Sequence, residues 1–250
     1  KAGFATQLLV HSNYRGLTVF KKLSENIYES CLSSDIDFVF GFPNELSWNL
    51  HLRLFNWENV GRINHLECRL DSVLLPSKKY KVTNFIRSDV DLLKKLITNL
   101  NVNKELSNCI SFKKDIDWFI WRYISNPLQH YNFLCIKLED EIKGVIIIKY
   151  FNIKGILIGN IVDMIVADND VDVLNSLLAE AFYCFKFVGV NEVSLWKPFN
   201  DWIKKHLIGI GFDVGSSYSN FGLKKISKVT PALIYDVNNW DVVMGNSDAF

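Results

Sequence analysis

The 250-residue sequence is short of cysteine, and what it has is scattered. Five residues (Cys31, Cys68, Cys109, Cys135, Cys184) form an odd set without a CxxC pair. That spacing argues against a disulfide framework or a zinc site and for reduced, buried thiols in a cytoplasmic protein. No apolar run reaches the ~18 residues of a membrane-spanning helix, and no secretory signal opens the sequence. Charge of one sign is also lacking: 28 Lys and Arg face 27 Asp and Glu, a net charge of +1. That balance argues against a nucleic-acid or membrane partner, so any anion site must be local. Low-complexity segments are absent. Aromatics are plentiful, with 18 Phe, 9 Tyr and 7 Trp in a 49% hydrophobic chain, enough for a core in each of two modules.

The chain repeats itself. An apolar strand ending at Val10 is matched by one ending at Val166, and Asn44 by Asn200, both at 156 positions (166 − 10 and 200 − 44). Phe42-Pro43-Asn44 answers Pro198-Phe199-Asn200, and Trp57-Glu58-Asn59-Val60-Gly61 answers Phe212-Asp213-Val214-Gly215. A repeat this long is a duplicated module, not a solenoid unit. Periodicity predicts strands at 4–12, 37–40 and 60–70 in the first copy, with helices at 19–32 and up to 54. In the second copy it predicts strands at 80–86, 132–138, 143–151, 156–166 and 192–196, and further strands to about 226. Helices are expected at 89–100, around 118–123, at 171–188 and at 199–209. Nothing before Val10 matches residues 80–155, so the first module is expected to lack its N-terminal part in this chain. Pro76-Ser77-Lys78-Lys79 is the candidate linker. Each module reads as α/β, a mixed sheet flanked by helices.

The chemistry is expected where strand passes into helix at Asn13-Tyr14-Arg15-Gly16-Leu17-Thr18. A helix start presents free backbone N–H groups and a positive dipole end, which attract phosphate. Gly16 carries no Cβ to block a ligand. The second copy reads Ala167-Asp168-Asn169-Asp170-Val171-Asp172 there, with Asp172 opposite Gly16. Three carboxylates repel a diphosphate. They do not make an EF-hand either, since Val173 and Ala179 stand where Gly and Glu are required. No metal site is expected.

Val10-His11-Ser12-Asn13-Tyr14-Arg15-Gly16, followed by a helix from Val19, resembles the acyl-CoA pyrophosphate loop of the GNAT (GCN5-related) N-acyltransferase superfamily. Its consensus there is Gln/Arg-x-x-Gly-x-Gly/Ala. Asn13 and Thr18 depart from that pattern, and Gly16 keeps it. The strand, Asn44, Ser47 and the helix ending before Trp57 resemble the unit that follows. The resemblance extends over most of the chain and is nearest to double-module members. It implies two tandem modules with mixed, largely antiparallel sheets: 1–75 the C-terminal part of the first, 76–226 a second with a degenerate loop, and 227–250 a tail.

The resemblance further implies acetyl-CoA or another acyl-CoA as co-substrate, held by Val10, Arg15, Gly16, Leu17, Thr18, Val19 and Asn44. The reaction it implies is direct attack of a small-molecule amine on the thioester, which needs an oxyanion donor and an acid for the leaving thiolate. Counting from Asn44 to the position where the superfamily often has a Tyr acid reaches His51. His11, beside the loop, is the second catalytic candidate. Glu45 and Glu58 are bases only through water. The stretch Trp118–Tyr123 is a candidate acceptor lining, with Arg122 as an anion clamp. Two alternatives stay open: an aminoacyl-tRNA-dependent peptide transferase of the same doubled fold, and a non-catalytic binding protein.

Overall fold

The structure is a computed structural model that describes all residues except 7–9, 15, 106–108, 128, 154, 228–229 and 248–250, and leaves aside the side chains of Leu17 and 101–105. Its strands are β1 (Ala2–Phe4), β2 (Phe38–Gly41), β3 (Glu58–Arg69), β4 (Val82–Asn84), β5 (Ile110–Ser111), β6 (Asn132–Leu138), β7 (Glu141–Ile153), β8 (Ile156–Val166), β9 (Glu192–Trp196), β10 (Asp213–Lys225) and β11 (Trp240–Asp241). The α-helices are α1 (Leu17–Ser33), α2 (Glu45–Phe55), α3 (Val90–Glu105), α4 (Ile116–Phe119), α5 (Val171–Phe187) and α6 (Asp201–Gly209). Two compact units divide the chain: residues 1–64 with 216–240, and residues 65–215 with 241–250.

The order β1-α1-β2-α2-β3 recurs as β8-α5-β9-α6-β10. Helices α1 and α5 are both 17 residues long. Asn44 and Asn200 are the N-caps of α2 and α6, their side chains accepting from Ser47 N and Trp202 N. Short polar side chains do this because they satisfy a backbone donor that the first helical turn leaves open. In both copies the strand before the first helix runs parallel to the strand after it, with Gly3 opposite Val39 and Gly159 opposite Val193.

The first unit orders its strands β1-β2-β10, with β10 antiparallel to β2 through Gly222–Lys225. Beneath them Val39, Phe55 and Trp57 are buried with Phe20, Tyr28 and Leu52 of α1 and α2. The second unit orders β3-β9-β8-β7-β6-β4, in which only the β8–β9 pairing is parallel. Each unit therefore takes a strand from the other copy of the repeat: β10 in the first, residues 65–69 of β3 in the second. Helix α5 lies on the second sheet through Leu174, Leu177, Leu178, Phe182 and Phe185, all fully buried. Burying each such side chain contributes about 1.5–3 kcal/mol. A Cβ on Gly144 would stand 2.6 Å from Val173 Cγ1 and one on Gly159 2.7 Å from Phe185 Cε1, so glycine permits this seating.

Several elements depart from the sequence reading. The strand expected at 4–12 is strand only at its first position, and its central residues 7–9 lie outside the described ones. The strand expected at 80–86 is confined to β4, because Lys79 N and Tyr80 N donate to Ser176 Oγ on α5 and not to a neighbouring strand. The linker candidate is tied down as well, by ion pairs from Lys78 to Glu180 and Lys79 to Asp172. Glu139 and Asp140 form the turn from β6 to β7, with Glu139 at φ 53.

Candidate functional site

After β1 the chain makes a short turn at Ser12–Tyr14, held by Tyr14 N donating to His11 O and Asn13 N to His11 Nδ1 (2.9 and 3.3 Å). Gly16 follows as the N-cap of α1, in extended backbone (φ 171) that any residue adopts. Among the described residues an added Cβ on Gly16 would meet nothing within 4 Å, as at Gly155 and Gly209. Helix α1 starts without a side-chain cap and without an acid in its first turn. Its first N–H groups therefore face outward with the positive dipole end. Thr18 and Val19 lie in that exposed first turn. Val10 stands half-buried just before the turn; Arg15 and the Leu17 side chain lie outside the described residues.

The equivalent start of α5 is closed. Asp170 Oδ1 accepts from Asp172 N and Val173 N at 2.8 and 3.1 Å, and Asp172 pairs with Lys79. The acids of this loop cap and neutralise a helix end. Among the described residues no group of His, Cys, Asp or Glu could hold a metal ion.

Asn44 sits at the start of α2 with Oδ1 2.9 Å from Ser47 N. Its amide is thus a helix cap, as in the other copy. His51 lies two turns on, where its Nδ1 donates to Ser47 O at 2.8 Å. That bond leaves Nε2 as the accepting nitrogen. Phe20 of α1, Phe55 and Trp57 surround the ring at centroid distances of 6.1, 6.0 and 4.7 Å. Burial pulls the His51 pKa below its ordinary value, and the Ser47 carbonyl pulls it partly back. A neutral imidazole of this tautomer accepts a proton at Nε2. Through Phe20, His51 is in ring contact with the N-terminal part of α1. His11 is exposed, 6.0 Å from the Tyr14 ring. On the opposite face of β2, Phe4, Phe40, Phe42, Phe221 and Trp240 pack ring on ring, with Phe4 and Phe42 half-exposed.

The second unit holds a cleft that sequence reasoning missed. Strands β8 and β9 pair only from Ile158↔Glu192 to Asn160↔Ser194, yet β8 runs on to Val166 and β9 to Trp196. Where they part lies a cavity of about 170 Å³ walled by Val162, Met164, Trp196, Phe199, Phe119 and Met244, among others. Asp163 is buried in its wall, with Oδ2 accepting from Lys114 Nζ (2.6 Å) and Tyr123 OH (2.8 Å), and Oδ1 from Met164 N (2.9 Å). Burial first, then the Asp163 charge, pushes the Tyr123 hydroxyl pKa well up, so it stays a donor. The sequence did carry one signal: a lone acid inside Ile161-Val162-Asp163-Met164-Ile165 demands a buried partner. Arg122 is not an anion clamp. It is buried and donates from Nε to Gly245 O and from Nη2 to Ser247 O, at 2.9 and 2.5 Å, which holds the C-terminal segment in this unit. Of the aromatic stretch, Trp121 is exposed and Phe119 faces the cavity.

Comparison with known proteins gives a fold. No known family profile matches the sequence, and no curated protein matches it significantly. Solved structures do. A GCN5-related N-acetyltransferase from Anabaena variabilis matches with a TM-score of 0.60 and 14% identity over 86% of this chain and 52% of that one. Saccharomyces cerevisiae N-myristoyltransferase with bound myristoyl-CoA matches with a TM-score of 0.58 and 13% identity, over 89% of this chain and 59% of the enzyme. A tandem GNAT protein from the clavulanic acid biosynthesis pathway matches with a TM-score of 0.53 and 12% identity, over 92% and 76%. The chain has the fold of the GCN5-related N-acetyltransferases, and it spans about half the length of the first structures it matches.

Proposed function

We propose that the chain is an acyl-CoA-dependent N-acyltransferase of two GNAT-like modules, residues 1–75 and 76–226, with acyl-CoA at the first. The observation that carries this reading is the difference between two equivalent helix starts. One is uncapped, acid-free and open at Gly16; the other is closed by Asp170 and Asp172. In a fold shared with acyl-CoA-binding enzymes, the open start is the one fit for a diphosphate.

The backbone from Gly16 to Val19, with the Thr18 hydroxyl and Arg15, is assigned to the diphosphate, and Val10 to the pantetheine arm. Bound acyl-CoA supplies an activated thioester. The acceptor must arrive as a neutral amine, and His51, neutral with Nε2 accepting, is the group in the first unit suited to take its proton. His11 is the alternative, and Asn44 supports the site by fixing the start of α2. The acetyl group and a small amine acceptor are the working assignments, and the protein is read as cytoplasmic; no helix among the described residues is long and apolar enough to cross a membrane.

The test is a thermal-shift titration with acetyl-CoA and with CoA lacking its diphosphate-bearing half, followed by a free-thiol release assay over a panel of amines. Stabilisation by acetyl-CoA but not by the truncated pantetheine thioester supports the reading. No stabilisation, or activity only with aminoacyl-tRNA, refutes it.

A further inference from the structure

We infer that the face of the second sheet turned away from α5 binds a small carboxylic acid with an apolar tail. Its head would lie at Lys149 and Asn160 and its tail along the β7–β8 hairpin. The site sits where β8 is still paired on both sides, and it uses none of the residues assigned to acyl-CoA.

Alternation sets the face. Ile148, Ile161 and Val193 belong to the core beneath α5, so their neighbours Lys149, Asn160 and Ser194 point to the other side. Register puts these three in one row, Lys149↔Asn160 across β7–β8 and Asn160↔Ser194 across β8–β9. The row is rich in donors. Asn160 is 2% exposed, and its Nδ2 has no acceptor among the described residues. Lys149 is half-buried; its Nζ donates to Gln129 Oε1 and lies 5.8 Å from the Phe151 ring centroid. Among the described residues it has no carboxylate partner. Ser194 adds a hydroxyl 3.4 Å from His65 Nδ1. A carboxylate only accepts, and its two oxygens match an ammonium beside an amide donor.

Three acids lie near the row. Glu67, across from Ser194, is turned over Gly215 of β10, where an added Cβ would stand 2.1 Å from its Oε2. Strand β10 flanks β3 on the side away from β9, so this carboxylate faces away from the row. Asp163 already accepts from Lys114, Tyr123 and Met164 N. Glu192 stands one row off, across from Arg69. Burial, then the Arg122 charge, pulls the Lys149 pKa below its ordinary value, and a bound carboxylate would offset both. An ammonium head would instead meet Lys149 with like charge.

The tail follows from the next rows on the same face. These are Phe151↔Ile158 and, at the hairpin end, Ile153↔Ile156. Ile153 and Ile156 are 46% and 63% exposed. Lys149 to Ile153 spans about 14 Å of strand, room for a chain of several carbons.

The test titrates full-length ¹⁵N-labelled protein with octanoate, octanol, octylamine and acetate while the Asn160 side-chain amide resonance is followed. Asn160→Leu assigns that resonance by removing it, and removes the orphan donor with it. Octanoate is expected to move the resonance saturably, with a Kd on the order of 1 mM. The other three probes are expected to bind about tenfold more weakly or not at all. A resonance unmoved by octanoate overturns the site. Octanol or octylamine binding as tightly as octanoate overturns the carboxylate head, and acetate doing so overturns the tail. Lys149→Met should reduce octanoate to the affinity of octanol, and Ile156→Asp, at an exposed position, should reduce it towards that of acetate. These shifts are expected whether or not acetyl-CoA binds, so failure of the acyl-CoA reading does not touch this one.

Discussion

Helices α1 and α5 are two editions of one element, alike in length and position and unlike in what surrounds them. With an offset of 154 positions (171 − 17), Val19, Leu23 and Ile27 of α1 answer Val173, Leu177 and Ala181 of α5. The first three are 37–49% exposed; the second three are at most 1% exposed. In the second unit β7, β6 and β4 extend the sheet beneath α5, whereas β1 ends the first unit's strand order. The apolar stripe is retained in both copies, so periodicity alone does not tell a covered helix from an uncovered one. The helix starts differ in the opposite sense. Helix α5 is covered and capped with acids, whereas α1 starts, among the described residues, without a side-chain cap or a first-turn acid. Stability is concentrated in one copy and the proposed chemistry in the other.

The sharpest way to break this comparison is to place one charge on both stripes. Leu177→Asp should cost about 4 kcal/mol or more, because it buries an unpaired carboxylate. Leu23→Asp should cost about 0.5–1 kcal/mol. Urea unfolding of the two variants measures both; equal losses would mean the α1 stripe is covered after all. Next in size is Lys114→Met, which leaves Asp163 buried without its cation and should cost about 3 kcal/mol by the same measurement.

The smallest effect concerns pH. His51 has a folded-state pKa below its ordinary value, chiefly through burial. Its contribution to stability is therefore present above ~6.5 and is lost as pH falls through the folded pKa. His65 and His206 shift in the same direction by burial. His51→Phe should make the fall in unfolding free energy between neutral and acid pH shallower than in the unaltered protein. An unchanged slope would mean that His51 has the same pKa folded and unfolded, so that burial does not favour its neutral form.

What the sequence made legible was what local pattern encodes. The 3.6-residue rhythm of α5, the alternation of β6 to β8 and the caps at Asn44 and Asn200 all follow from nearest neighbours along the chain. Long-range partners were not legible. Arg122 meets the carbonyls of Gly245 and Ser247 from more than a hundred residues away, and the segment read as a tail carries buried Trp240, Val242 and Met244. Lys114 and Asp163 were invisible as a pair for the same reason. At the first loop the sequence singled out Gly16 for its missing Cβ, and the structure adds that the space beside it is open. His51 was found by counting along a helix, but its tautomer came from a carbonyl one turn earlier.

The central claim is that one copy binds acyl-CoA and the other does not, and titration calorimetry with acetyl-CoA on three proteins tests it most directly. The unaltered chain should bind, and Gly16→Asp should weaken binding by about tenfold or more, since it puts a carboxylate at the anion's place. Asp172→Gly, two residues after Asp170, the N-cap equivalent to Gly16 in the second copy, should leave affinity within about twofold. Undiminished binding by Gly16→Asp, or equal loss in both variants, would contradict the account.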